Sequence, residues 1–298
     1  MGNGGKWDLA RQLANVVGAL FQVGMTAVAS AAISEVTGER TPLIEPALYA
    51  FSIWSLIFAL SLAYAGYQAL PANRENPLLR NVGWFTAVAF ACTGLWSVFV
   101  PERQLLLALA MLAVVFVCLA FVYRRVVDAA SGRVLGRGER WLVALPVGVF
   151  LGWITAANLI SLSSEVVRLG LVGSSVGAGE AVLGAALLLL GGVLAAAVVL
   201  AGKTGPMQGY LSYGATILWA LVGVVVNQYD ASILITSAAL VAAVPVALAL
   251  SSVLRGGKSR RNTGGSLRPV LRREDGGSLA CGGKRCRETG GTAPYLRG

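Results

Sequence analysis

The 298-residue sequence contains no histidine. That removes the commonest haem and zinc ligand and the usual general base near neutral pH, so any catalysis would rest on other groups. Charge is scarce as well: 13% of residues are charged and 56% hydrophobic, where a soluble domain carries about 25% charged residues. Cysteine is limited to four residues. Cys92 and Cys118 lie within apolar runs and read as small apolar side chains, Cys281 and Cys286 lie in a basic Gly-rich tail, and neither pair has zinc-ligand spacing. No metal site is expected. The composition is that of a membrane protein.

Eight apolar runs are long enough to cross a bilayer, which takes about 20 helical residues: 12–33, 46–70, 82–100, 104–123, 141–163, 181–202, 209–228 and 231–254. None has Asp, Glu, Lys or Arg in its interior. Uninterrupted runs of this length lack the alternation of a membrane barrel, so the backbone must satisfy itself as helix. The expected fold is all-α, a polytopic transmembrane bundle of about eight helices. With a cytoplasmic N-terminus, only Arg40, Arg103 and Arg168 of the 24 Lys and Arg fall in outside loops. That asymmetry predicts both termini in the cytoplasm, the plasma (inner) membrane as location and lipid as the surrounding partner.

The expected organisation is a cytoplasmic N-terminus (1–11), a five-helix membrane domain (12–163), an external Gly/Ser-rich linker (164–180), three further helices (181–254) and a basic disordered tail (255–298). The net charge of +10 lies mostly in loops and tail rather than on a folded face, so no nucleic-acid partner is expected. The first run, preceded by "KWDLAR" and containing "AVASAA", has the layout of a signal peptide but is longer than a usual signal core; it reads as a span. Small residues suggest close helix packing at Gly148 and Gly152 and at Ala27 and Ala31, and Pro146 suggests a bend that would help open a cavity.

With no ionisable group inside the runs, proton relays and coupling-ion sites lack their usual residues. The runs do carry sparse neutral polar groups and seven tryptophans. Trp84 and Trp141 begin runs at the cytoplasmic interface and read as anchors. Trp54, Trp96 and Trp153 lie about 12, 6 and 15 Å below the outer surface at a helical rise of 1.5 Å per residue. Three indoles from three helices thus share one depth band. A pocket they line would suit a flat, apolar ligand such as a tetrapyrrole, sterol or carotenoid-like molecule.

Three segments carry a family resemblance. "PALYAFSIWSLIFALSLAYAGYQAL" (46–70), "GLWSVFVPE" (94–102) and "LPVGVFLGWITAANLIS" (145–161) resemble the second, third and fifth helices of the TspO/MBR family, the tryptophan-rich sensory proteins related to the translocator protein. Pro46 and Trp54 keep the family's spacing; its first Trp in helix two is replaced around Leu48 or Tyr49, and its helix-three Asn is Thr93. The chain looks most like longer members with extra C-terminal helices. The resemblance implies a five-helix bundle that binds porphyrin or sterol-like ligands for transport or sensing, with the loop after helix one (34–45) folded over the pocket. It assigns Trp54, Trp96, Trp153 and Ala157 to the pocket, with Tyr49, Thr93 and Asn158 beside them. A tetrapyrrole is the implied ligand and a homodimer the candidate assembly. No catalytic constellation is visible. Some family members degrade porphyrin with help from a Trp, and the replaced first Trp argues against that chemistry here. The alternative is a small-solute permease in which the last three helices complete the pathway.

Overall fold

The computed structural model describes residues 3–38, 42–171 and 177–264. Cys281, Cys286 and the part of the expected disordered tail (255–298) beyond residue 264 lie outside them, as do residues 172–176 of the linker; residues 255–264, expected in that tail, are instead helical. Residues 1–258 form one compact unit; those from Ser259 on form a second, of which residues 259–264 are helical.

Eight helices are long and apolar enough to cross a membrane, and the described residues contain no strand. They are α1 (Asn3–Gly38), α2 (Ile53–Ala69, entered through a 3₁₀ turn at Leu48–Ser52), α3 (Pro77–Phe99), α4 (Leu105–Gly132), α5 (Arg137–Arg168), α6 (Ala178–Ala201), α7 (Met207–Gln228) and α8 (Ile233–Gly264). The protein is an integral membrane protein. Exposed apolar side chains such as Val117, Phe121, Val193, Val222 and Leu248 present its lipid-facing surface. Trp84 and Trp141 are exposed, as anchors require.

Helix α1 begins at Asn3, well before the apolar run. Its first turns carry Asp8, Arg11, Gln12 and Asn15, which are polar yet buried because α2 and α3 supply partners. Arg11 donates to Gln68 Oε1 (3.0 Å), Leu79 O (3.2 Å) and Arg74 O (2.9 Å). Arg80 Nε donates to both oxygens of Asp8 at 3.0 and 3.2 Å. Asn15 Nδ2 donates to Gly83 O (2.6 Å), and Thr86 Oγ1 donates to Asn15 Oδ1 (2.5 Å). Charges absent from the centres of the apolar runs are therefore concentrated at this end of the bundle, where helix–helix hydrogen bonds offset their desolvation.

Small residues set the closest helix approaches. A Cβ on Gly152 would lie 2.8 Å from Tyr213 O and 2.9 Å from Thr216 Cβ, and one on Gly148 would collide with Gly209 O and Ser212 Oγ. The G-x-x-x-G step is thus the seam between α5 and α7. Ala27 and Ala31 behave differently: both are exposed, and α1 approaches α3 through Gly18, Gly83 and Gly94 instead. Pro146 follows a π-helical turn at Arg140–Ala144, the local adjustment expected where a proline interrupts the hydrogen-bond ladder. The large cavity borders the other half of α5, from Trp153 to Arg168, and Pro146 is not among its lining residues.

Asn76 caps α3 by accepting from Leu78 N (2.9 Å) and Leu79 N (3.2 Å), and its Nδ2 donates to Glu139 Oε1 (3.0 Å) at the start of α5. Glu139 also accepts from Gly136 N (2.8 Å) and from the Arg133 guanidinium, whose pKa it raises. Asn76→Ala is expected to destabilise the bundle by about 1–2 kcal/mol, read as a lowered midpoint in detergent unfolding.

Candidate functional site

A cavity of about 890 Å³ opens at the end of the bundle where α1 finishes and α2 begins. Helices α1 to α5 and residue Asn227 of α7 surround it. Its volume falls in the range of small-molecule sites, and its walls are mostly apolar, with a few polar groups at the rim.

Aromatic rings make the inner wall. Trp54 stacks on Trp96 with centroids 5.9 Å apart and planes 20° apart, and meets Trp153 edge-on at 6.2 Å. Phe51 meets Trp153 edge-on at 5.5 Å, and Phe58 stacks on Trp54 at 5.5 Å. The segment "FSIWSLIF" does this by helical spacing: Phe51, Trp54 and Phe58 recur at i, i+3 and i+7 and so face one way. Trp153 is 1% exposed, and its Nε1 donor has no partner among the described residues. Trp54 and Trp96 remain half-buried at the cavity edge.

The expected pocket residues divide accordingly. Trp54, Trp96, Trp153 and Ala157 border the cavity together. Tyr49, Thr93 and Asn158 are not among its lining residues. Tyr49 is displaced onto α7, where it meets Trp219 edge-on at 5.3 Å. The Thr93 hydroxyl is buried and donates to Ala89 O (2.8 Å) within its own helix. Asn158 Nδ2 donates to Leu112 O (3.1 Å), tying α5 to α4 behind the wall. The polar groups of Thr93 and Asn158 are thus engaged within the bundle.

Sequence reasoning missed the rim. Thr26 and Ser97 share a 2.7 Å hydrogen bond beside the cavity, and Glu45, Arg103, Glu165, Arg168 and Asn227 also border it. Arg168 donates through Nε (2.9 Å) and a terminal nitrogen (2.7 Å) to Glu165 Oε2, a self-contained pair. Glu45 Oε2 is buried with no hydrogen-bond partner among the described residues. Burial alone pushes its carboxyl up to about 7. Glu45 stands one residue before the Pro46 that begins the family motif, so its position was visible although its burial was not.

The segment holding Glu45 is braced by the helices beyond the linker. Leu43 N donates to Glu180 Oε1 (3.1 Å), Asn227 Nδ2 to Glu45 O (3.0 Å), Ala47 N to Gly223 O (2.9 Å) and Trp219 Nε1 to Ala50 O (3.0 Å). Gly223 lets this happen: a Cβ there would lie 2.7 Å from Pro46 Cβ. Helices α6 and α7 therefore hold the entrance to α2, and with it the approach to Trp54.

Neither curated proteins nor solved structures give a match to the chain. The sequence model described as TSPO-like protein matches residues 12–252, running from α1 into α8 and so through the three helices beyond the linker as well as the five before it. With that match covering most of the chain, and three aromatic motif segments meeting in one wall, this protein belongs to the TSPO-like protein family.

Proposed function

We propose that the protein binds a planar, apolar ligand of tetrapyrrole, sterol or isoprenoid type in the cavity beside Trp54, Trp96 and Trp153, and uses that binding for transport or sensing rather than for catalysis. The observation that carries the reading is the convergence of three indoles from three helices on one edge of an 890 Å³ cavity. Flat aromatic walls favour flat ligands by stacking and by burying apolar area, while the few rim groups set orientation. In this reading the cavity opens toward the outside of a plasma (inner) membrane and both termini are cytoplasmic, in keeping with the distribution of Lys and Arg.

Titration of the purified protein with protoporphyrin is expected to quench tryptophan fluorescence saturably. Trp54→Ala and Trp96→Ala, at half-buried positions, should each weaken the apparent affinity about tenfold, the equivalent of about 1.4 kcal/mol of lost stacking and contact. Trp153→Ala should weaken it too, but carries a stability cost because the ring is fully enclosed. Absence of quenching, or unchanged affinity in the Trp54 and Trp96 variants, would sink this assignment.

A further inference from the structure

Among the described residues the cavity rim has four ionisable side chains, Glu45, Arg103, Glu165 and Arg168. Glu165 and Arg168 on α5 neutralise one another at 2.7 Å. Arg103 borders the cavity from the segment between α3 and α4. Glu180 on α6 faces the same segment as Glu45 but is committed to Leu43 N, and the Asn227 amide on α7 is spent on Glu45 O rather than on its carboxylate. Among the described residues, nothing pairs with Glu45 Oε2. A carboxylate oxygen held out of water without a partner is costly, a cost that persists in a fold where a partner is supplied on binding.

From this placement we infer that Glu45 is a specificity determinant of the cavity, selecting planar ligands that carry a positively charged nitrogen over uncharged ligands of the same shape. The aromatic body would rest against the Trp54 and Trp96 edge, where a delocalised cation also gains from the ring faces, and the charge would be matched by the Glu45 carboxylate. The inference rests on the cavity being the ligand site. It goes further in naming a charge class and a proton linkage. Burial pushes the carboxyl up to about 7. A cation binds the ionised form, so binding releases a proton from the neutral fraction, and affinity climbs as pH rises through that value.

The test compares N-methylacridinium, permanently charged, with N-methylacridone, its uncharged counterpart, by quenching of tryptophan fluorescence in the full-length protein. Neither probe titrates between about pH 6 and pH 8. The cation is expected to bind about tenfold more tightly at the upper pH than at the lower, following the ionised fraction of a group of pKa near 7, while the uncharged probe shows no slope. Glu45→Gln should abolish the slope for the cation, with an unchanged circular dichroism spectrum as the check on folding, and Glu45→Asp should restore part of it. If both probes bind with the same affinity at every pH, or Glu45→Gln keeps the slope, the selectivity is overturned while the pocket stands. If neither probe nor protoporphyrin quenches, the pocket fails and the selectivity falls with it.

Discussion

Gly148→Leu is expected to prevent the protein from assembling: it should be recovered as aggregate or fail to accumulate in membranes. A single added carbon already reaches Gly209 O and Ser212 Oγ on the facing helix, and four cannot be placed. The obstacle is backbone, held by the hydrogen-bond ladder of α7, so it does not yield as a flexible side chain would. Ser212 Oγ is itself engaged, donating to Leu145 O across the seam at 3.1 Å and to Gly209 O in its own helix at 3.1 Å, so separating the helices would also break the bond to Leu145. Gly148→Ala should still cost about 1–3 kcal/mol in a denaturant titration of the micelle-bound protein. Gly66→Ala is the control, since nothing lies within 4 Å of the Cβ it would add on α2 and the change removes a flexible residue from a helix. Equal stability of the two alanine variants would mean that α5 and α7 are not packed as described.

That seam shows what was legible in the sequence and what was not. The small step at Gly148 and Gly152 was visible because it lies within four residues, but its partner around Gly209 to Thr216 lies some sixty residues on and has no local signature. The eight spans were legible for the opposite reason: hydropathy over about twenty residues is a local quantity that the bilayer enforces. The three indoles sit between these cases. Their common depth followed from counting residues along each helix, while their facing depends on helix rotation, which packing decides. Thr93 and Asn158 show the cost of assigning polar residues to a pocket by motif alone, since their hydrogen bonds close within the bundle. Leu48 or Tyr49 stands where the family's first Trp is expected: Leu48 borders the cavity, while Tyr49, in the 3₁₀ turn before α2, turns toward Trp219.

The buried charges near the start of α1 were hidden most completely, because Asp8 and Arg11 lie in the stretch expected as a cytoplasmic N-terminus ahead of the first span. Their burial makes Asp8→Ala the second substitution with a large expected effect, a loss of about 3–5 kcal/mol. Arg11 is 1% exposed, and without Asp8 its cation keeps only carbonyl and amide partners, while Arg80 loses all three of its hydrogen bonds to the carboxylate. Arg80→Ala should cost less, about 1 kcal/mol, because its side chain is 45% exposed and the buried Asp8 retains the Arg11 guanidinium at 3.6 Å. The informative variant is the double change Asp8→Ala with Arg11→Met. It removes the stranded cation together with its partner and keeps an unbranched side chain beside Gly83, whose added Cβ would lie 2.6 Å from Arg11 Cδ. If the cost of Asp8→Ala is the burial of an uncompensated charge, the double variant should unfold at higher denaturant than Asp8→Ala alone. If the cost is lost hydrogen bonding, it should unfold lower, since Gln68 Oε1, Leu79 O and Arg74 O would then also lose their donors. The near-complete burial of Arg11 favours the first outcome, because several kcal/mol of desolvation outweigh three neutral acceptors worth about 1 kcal/mol each.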